Sequence, residues 1–227
     1  MSNPTLVLVH GFWANSLHWQ YIIPLLMKAN FKVKAVEIPL TSLSDDVQRI
    51  TQIINQIEGP VILVGHSYGG VVITQAGNHD NVSGLVYIAA FAPDQFESAA
   101  IITELDPPQA IENLYADVDG YFWIKEEKYH QSFCQDLNEL ESMTFAVSQK
   151  APLANTFANT VSKPAWKTKP SWYQISTQDC MISLTSQRRM AQRLNAKEVL
   201  ELNTSHASLI SKPEDIAAFI IKAAKKI

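Results

Sequence analysis

Gly65-His66-Ser67-Tyr68-Gly69, followed by Gly70, places a serine between two glycines at the spacing of a nucleophile elbow. Such an elbow is a sharp strand-to-helix turn that holds the serine in strained dihedrals and lifts its Oγ above a sheet. Small neighbours let the backbone fold that tightly, and Gly65 and Gly69 meet the need. The pentapeptide alone is a weak signal. Its context strengthens it: Val61–Val64 is a short apolar strand and residues 68–79 read as a helix. The N-terminus of that helix brings free N–H groups beside the charge that develops when the serine attacks a carbonyl.

A serine nucleophile needs a base, and the chain has six histidines. His66 sits inside the elbow, so its ring should point elsewhere. His10 and His18 precede the serine, His79 adjoins Asp80 in a polar turn, and His130 lies among charged residues. His206, in Thr204-Ser205-His206-Ala207, follows the last strand and precedes the last helix. Loops at the C-terminal ends of strands are where open α/β sheets place functional groups. His206 is therefore the expected general base. The acid that orients it should lie between serine and histidine in chain order. Asp179, just after a strand over 171–177, fits; Asp94, after a strand over 82–90, is the rival. Asp106, Asp117, Asp119 and Asp136 read as surface charges. His10-Gly11-Phe12-Trp13 follows the first strand and allows the Phe12 N–H to join the Tyr68 N–H as an oxyanion hole. Its other reading is an ordinary turn with a buried His10.

The elements that must position these residues alternate in type. Strands are expected at Thr5–Val9, Phe31–Ile38, Val61–Val64, Val82–Ala90, 171–177 and 197–202. Helical spacing occupies 16–29, 44–57, 68–79, 183–195 and 213–226, with Ser44 as an N-cap and Pro213 in a first turn. This rhythm implies an α/β fold: a mostly parallel six-stranded sheet with helices on both faces. Residues 94–165 break it. They are rich in acids and aromatics, with helix-like pieces at 108–116, 125–141 and 142–149, and read as an inserted helical cap. Residues 1–93 and 166–227 then form the core.

The chain has 227 residues, 47% hydrophobic and 18% charged, with net charge −4, which suits one globular domain. A mildly acidic chain offers no electrostatic footprint for nucleic acid. Cys134 and Cys180 make no disulfide framework or metal-ligand spacing. The apolar run Thr5–Val9 follows Met1–Pro4 with no basic region, and no run approaches the ~20 residues of a membrane span. If the chain begins at its native start, a cytoplasmic protein is expected.

The order HGFW, GHSYGG, an aspartate after a late strand, then SHA before the C-terminal helix resembles the α/β-hydrolase superfamily over nearly the whole chain. The runs LVLVHGFWANSLHW, IPLTSLSDDV, LVYIAAFAPD and PAWKTKPSWY also resemble small bacterial esterase-like proteins related to the plant methylesterase and hydroxynitrile lyase group. The resemblance implies Ser67 as nucleophile, Asp179 as acid, His206 as base, and the backbone of Phe12 and Tyr68 as oxyanion hole. It implies no cofactor and no metal, and the chain shows no dinucleotide loop, P-loop or H-E-x-x-H. Hydroxynitrile lyases carry a lysine just after the catalytic histidine; here Ala207 stands there, which departs from lyase chemistry. The expected reaction is hydrolysis of a small, apolar or aromatic ester, in a pocket walled by Trp13, Phe122 and Trp123. Two alternatives stay open: the aromatics form the insertion's own core, or the protein is a small-molecule receptor on a hydrolase scaffold.

Overall fold

The computed structural model describes residues 3–227. Its main sheet joins β1 (Thr5–Val9), β2 (Val33–Val36), β3 (Val61–His66), β4 (Val82–Ile88), β7 (Ser171–Ser176) and β8 (Val199–Leu202); β5 (Leu114–Ala116) and β6 (Phe122–Ile124) pair separately. The order is β2-β1-β3-β4-β7-β8, and every neighbouring pair is parallel. All six expected strands are present. Burial follows position. The central β1 and β3 are buried at every residue, matching their unbroken aliphatic runs, whereas the edge strands β2 and β8 alternate with solvent.

Helices α1 (Ile22–Lys28), α2 (Leu43–Ile54), α3 (Gly69–Ala76), α7 (Leu184–Arg193), α8 (Ser208–Ser211) and α9 (Pro213–Ala224) join or follow these strands. Pro24 falls in the first turn of α1 and Pro213 opens α9, where the missing N–H costs no helical bond. The N-cap of α2 is Ser42, not Ser44. Ser42 has the extended backbone a cap requires and accepts from the Asp45 N–H at 3.1 Å, leaving Ser44 in the first turn.

The chain between β4 and β7 holds α4 (Ala99–Leu105), the β5–β6 hairpin, α5 (Glu126–Phe133) and α6 (Glu139–Val147). Residues 108–116, expected to be helical, are instead a short 3-10 helix at Gln109–Asn113 followed by β5. Turn chemistry decides this. Asp117 Oδ1 accepts from the N–H groups of Asp119 (3.0 Å) and Tyr121 (2.8 Å), and Gly120 takes φ +83°, closing the hairpin. The helical stretch 125–141 is broken at Cys134, and α6 restarts where Asn138 caps the Glu141 N–H at 2.9 Å.

Chain order along the sheet reverses between β1 and β3, since β1 leads outward to β2 and β3 leads the other way to β4. The loops leaving the C-terminal ends of these two strands flank the crevice where open α/β sheets bind ligands. They carry Phe12 and Ser67.

Candidate active site

Ser67 sits at the tip of the β3–α3 turn with φ +55°, a left-handed conformation that a serine holds only when its surroundings over-determine it. Close backbone approach supplies that constraint. A Cβ on Gly65 would lie 2.6 Å from the Gly69 carbonyl carbon, and one on Gly69 would lie 2.4 Å from the Val9 carbonyl oxygen. One on Gly11 would lie 2.5 Å from Ser67 Cβ, so the first loop passes directly against the serine.

Asp179 and His206 come together from two different loops. Asp179 Oδ2 accepts from His206 Nδ1 at 2.7 Å, with both side chains fully buried. The aspartate is itself held. Its Oδ1 accepts from the N–H groups of Met181 (2.7 Å) and Ile182 (3.0 Å), and its Oδ2 also accepts from Gln187 Nε2 at 2.8 Å. With its proton on Nδ1, the His206 ring presents a bare Nε2, which is buried and unpaired. Ser67 Oγ does not hydrogen-bond to it here; such contacts commonly tighten only when substrate is bound. Asp94 lies elsewhere, in an ion pair with Lys167 at 2.5 Å.

Two further groups hold the histidine. Phe133 meets its ring edge-on, with centroids 4.8 Å apart. His66 Nε2 lies 2.9 Å from the His206 carbonyl oxygen, which can only accept, so Nε2 is the donor. Burial and the nearby His206 push the His66 ring well below its ordinary pKa, and it stays neutral. His66 thus points away from Ser67, as its place in the elbow requires, yet it ties down the backbone of the candidate base.

Among the described residues neither the Phe12 N–H nor the Tyr68 N–H donates to another protein group. The two side chains stack, ring centroids 3.9 Å apart and 13° from parallel. His10 anchors the same loop: its Nδ1 is 2.9 Å from the Gly11 carbonyl, and its Nε2 accepts from the Ile38 N–H at 3.1 Å.

Ser67 opens onto a cavity walled by Phe12, Trp13, Phe91 and Met181, with Thr103, Pro108, Ala110, Ile111, Leu114 and Phe157 from the stretch 94–165 closing it. Among the described residues no charged side chain lines it. Its free volume is about 10 Å³, roughly the space of one water. Trp13 lies in this wall; Phe122 and Trp123 do not. Phe122 stands behind the wall, its carbonyl accepting from Trp13 Nε1 at 2.7 Å and its ring 6.3 Å from that of Phe157. Trp123 is drawn to the hairpin turn, where its Nε1 donates to Asp117 Oδ2 at 2.7 Å. The alternation of β6 sends adjacent side chains to opposite faces, so the two could not both face one cavity.

Sequence reasoning missed Gln187, His66 and Asp46 as supports of this site. Asp46 alone carried a usable signal: it shares the buried face of α2 with Leu43, Ile50 and Ile54. Cys134 is buried and free, and Cys180 is partly buried and free. Among the described residues no helix is long and apolar enough to cross a membrane.

A family model described as the alpha/beta hydrolase family matches residues 6–219. Among curated proteins, an alpha/beta hydrolase of Aspergillus novofumigatus, nvfD, is 27% identical, with 99% of this chain and 98% of that protein covered. Methylesterase 2 of Arabidopsis thaliana is 25% identical, with 96% and 95% covered. Among solved structures, a pyrethroid hydrolase from Sphingobium faniae JZ-2 aligns with a TM-score of 0.83 at 20% identity, covering 98% of this chain and 97% of that one.

Proposed function

Because the chain belongs to the alpha/beta hydrolase family, we propose that it is a carboxylic ester hydrolase acting through an acyl-enzyme on Ser67. His206 Nε2 takes the Ser67 proton as Oγ attacks the ester carbonyl. Asp179 accepts the Nδ1 proton, fixes the tautomer and stabilises the cation that forms. The N–H groups of Phe12 and Tyr68 receive the oxyanion. His206 then passes its proton to the leaving alcohol. Water, activated by the same nitrogen, releases the acid and restores Ser67.

The observation that carries this reading is the 2.7 Å contact from Asp179 Oδ2 to His206 Nδ1, which leaves Nε2 unpaired as a base. The uncharged lining of the cavity supports a neutral, apolar substrate, which needs more room than the one-water space there and so requires the wall to open. Desolvating a charged group beside Phe91, Leu114 and Phe157 would cost several kcal/mol with no ion to offset it, by the usual penalty of about 2–7 kcal/mol even for an unpaired polar group. The names of the relatives, a methylesterase and a pyrethroid hydrolase, support an ester.

The test joins fluorophosphonate labelling to a panel of 4-nitrophenyl and methyl esters. Wild type should be labelled and should turn over uncharged esters repeatedly. Ser67→Ala should lose labelling and about 10⁶ in kcat. Full-stoichiometry labelling that persists in Ser67→Ala would exclude this nucleophile.

A further inference from the structure

Asp46 is fully buried on the inner face of α2, yet among the described residues no cation forms an ion pair with it. Its oxygens are used by two neutral donors. Oδ1 accepts from the Leu40 N–H at 2.7 Å, and Oδ2 accepts from the Tyr68 hydroxyl at 2.8 Å. Burial pushes this carboxyl above its ordinary pKa, against the pull of both hydrogen bonds. A leucine would fill such a helix face without that cost, so packing does not account for an aspartate here.

What Asp46 grips is the residue next to the nucleophile. Tyr68 is completely buried, and its ring lies flat against Phe12 at 3.9 Å. The two residues whose N–H groups face the reacting carbonyl in the proposed mechanism are thus locked together by their side chains, and Asp46 holds the far tip of that pair. The other half of the carboxylate fixes the loop before α2. Leu40 stands at φ +64°, and its carbonyl accepts from the Leu153 N–H at 3.0 Å. That contact leads into the segment bearing Phe157, whose ring is 5.7 Å from Phe12 in the cavity wall.

We propose that Asp46 is a positioning residue for the oxyanion hole: through the Tyr68 hydroxyl and the Phe12–Tyr68 stack it holds the two backbone donors at a fixed separation. The inference rests on the hydrolase reading of Ser67. Its physical basis is that oxyanion donors act through preorganisation, needing no rearrangement as charge develops. The strained Ser67 backbone stores a tendency to relax at the 67–68 junction. A hydrogen bond at the end of a rigid phenol resists that rotation with the leverage of the whole ring. The stack transmits the restraint to the first loop.

Three variants test this: Tyr68→Phe, Asp46→Ala and Asp46→Asn. For each, the rate of fluorophosphonate labelling is measured well below Tm, with kcat and KM on a 4-nitrophenyl ester and the inhibition constant of a trifluoromethyl ketone that mimics the tetrahedral adduct. Removing a whole donor typically costs 10²–10³ in kcat, so a misdirected one should cost about tenfold. Tyr68→Phe keeps the ring and the stack but frees the tip. It should lose about tenfold in labelling rate and kcat with KM within about twofold, and ketone affinity should fall in parallel. Asp46→Ala should lose at least as much; if it does not fold, Tyr68→Phe decides. Asp46→Asn should recover most of the loss, because its carbonyl can accept from Leu40 while its amide donates to the Tyr68 oxygen. Tyr68→Phe with the wild-type labelling rate and ketone affinity, whatever its Tm, overturns the inference. That outcome differs from failure of the hydrolase reading, in which the wild type itself is not labelled.

Discussion

Gln187 Nε2 donates to Asp179 Oδ2 at 2.8 Å, sharing the oxygen that accepts from His206 Nδ1 at 2.7 Å. The amide is fully buried, and its other end accepts from the Ser176 N–H at 3.0 Å. Gln187 therefore orients Asp179 from behind while holding the strand that precedes it.

This relationship predicts different outcomes for two changes at one position. Gln187→Glu sets a second carboxyl against Asp179 in a buried site, and two like charges that close cannot both ionise. One must hold a proton, so the pH profile of kcat/KM should shift and kcat should fall by at least tenfold near neutrality. Gln187→Leu instead leaves the Ser176 N–H buried without a partner, at a cost of about 1–3 kcal/mol. It also strips Asp179 Oδ2 of its amide donor, so it should melt earlier and shift the pH profile less than Gln187→Glu does. Parallel pH–rate profiles and thermal melts separate the two. Identical profiles for Gln187→Glu and wild type would show that the amide does not govern Asp179.

Gly11 yields a steric prediction. An alanine Cβ there would stand 2.5 Å from Ser67 Cβ and 3.0 Å from both Ser67 Oγ and the His66 carbonyl oxygen. Something must move, and the His66 backbone together with a Ser67 Cβ fixed to a constrained turn leaves little room. Overpacking of this kind costs about 1–3 kcal/mol. Gly11→Ala should fold with a lowered Tm and lose at least a hundredfold in fluorophosphonate labelling rate, the scale of a lost oxyanion donor. Labelling at the wild-type rate would mean that the first loop does not constrain the serine.

Much of this architecture was legible in the chain because parallel strands buried on both faces leave unbroken aliphatic runs, such as Thr5–Val9 and Val61–Val64. The contact of His206 with Asp179 rather than Asp94 followed from chain order and strand ends. The insertion was harder to read. Its β5–β6 hairpin rests on three-residue strands, too short for a period to declare itself, and on an Asp117–Gly120 turn whose chemistry outweighs helical spacing. The supporting polar residues were hidden for another reason. In Asp45-Asp46 one aspartate is exposed and the other fully buried, and composition treats them alike. Only the helical register of Asp46 with Leu43 and Ile50 separates them.

Glu97 and Arg193 form an ion pair at 2.7 Å near the start of α4. Arg193 also donates to the Ala92 carbonyl at 2.7 Å, tying α7 to the chain that leaves β4. Burial pushes the Glu97 carboxyl up. The hydrogen bond from Arg193 and that from the Asp94 N–H outweigh it and hold the group below its usual 4.5. A carboxyl depressed on folding contributes stability that is present above its unfolded pKa and lost as pH falls through the folded value. Glu97→Gln should therefore be less stable than wild type at pH 7 by about 1 kcal/mol, the upper range for a partly exposed pair. The gap should close as pH drops below 4.5. Urea midpoints at pH 7, 5, 4 and 3 would show it. A gap that stays constant down to pH 3 would place the effect of the substitution outside the ion pair.

Ala207 separates ester hydrolysis from cyanohydrin cleavage. Cyanide leaving a cyanohydrin carries a full negative charge, and in a poorly solvated pocket a nearby cation is the simplest way to stabilise it. The position after His206 offers only a buried methyl group, and the next lysine, Lys212, is solvent-exposed at the start of α9. Among the described residues no charged side chain lines the cavity at Ser67. Ester hydrolysis as proposed needs no such cation, since in that mechanism backbone donors receive the oxyanion and His206 hands a proton to the alcohol. The protein should therefore turn over 4-nitrophenyl acetate and leave mandelonitrile at its buffer rate. Ala207→Lys alone should not create a lyase, because the fully buried site has no room for the longer chain and would oppose its charge. Cyanide release far above the buffer rate in the wild type, and its loss in Ser67→Ala, would mean that a cation reaches the cavity when the insertion moves, and the hydrolase reading would give way.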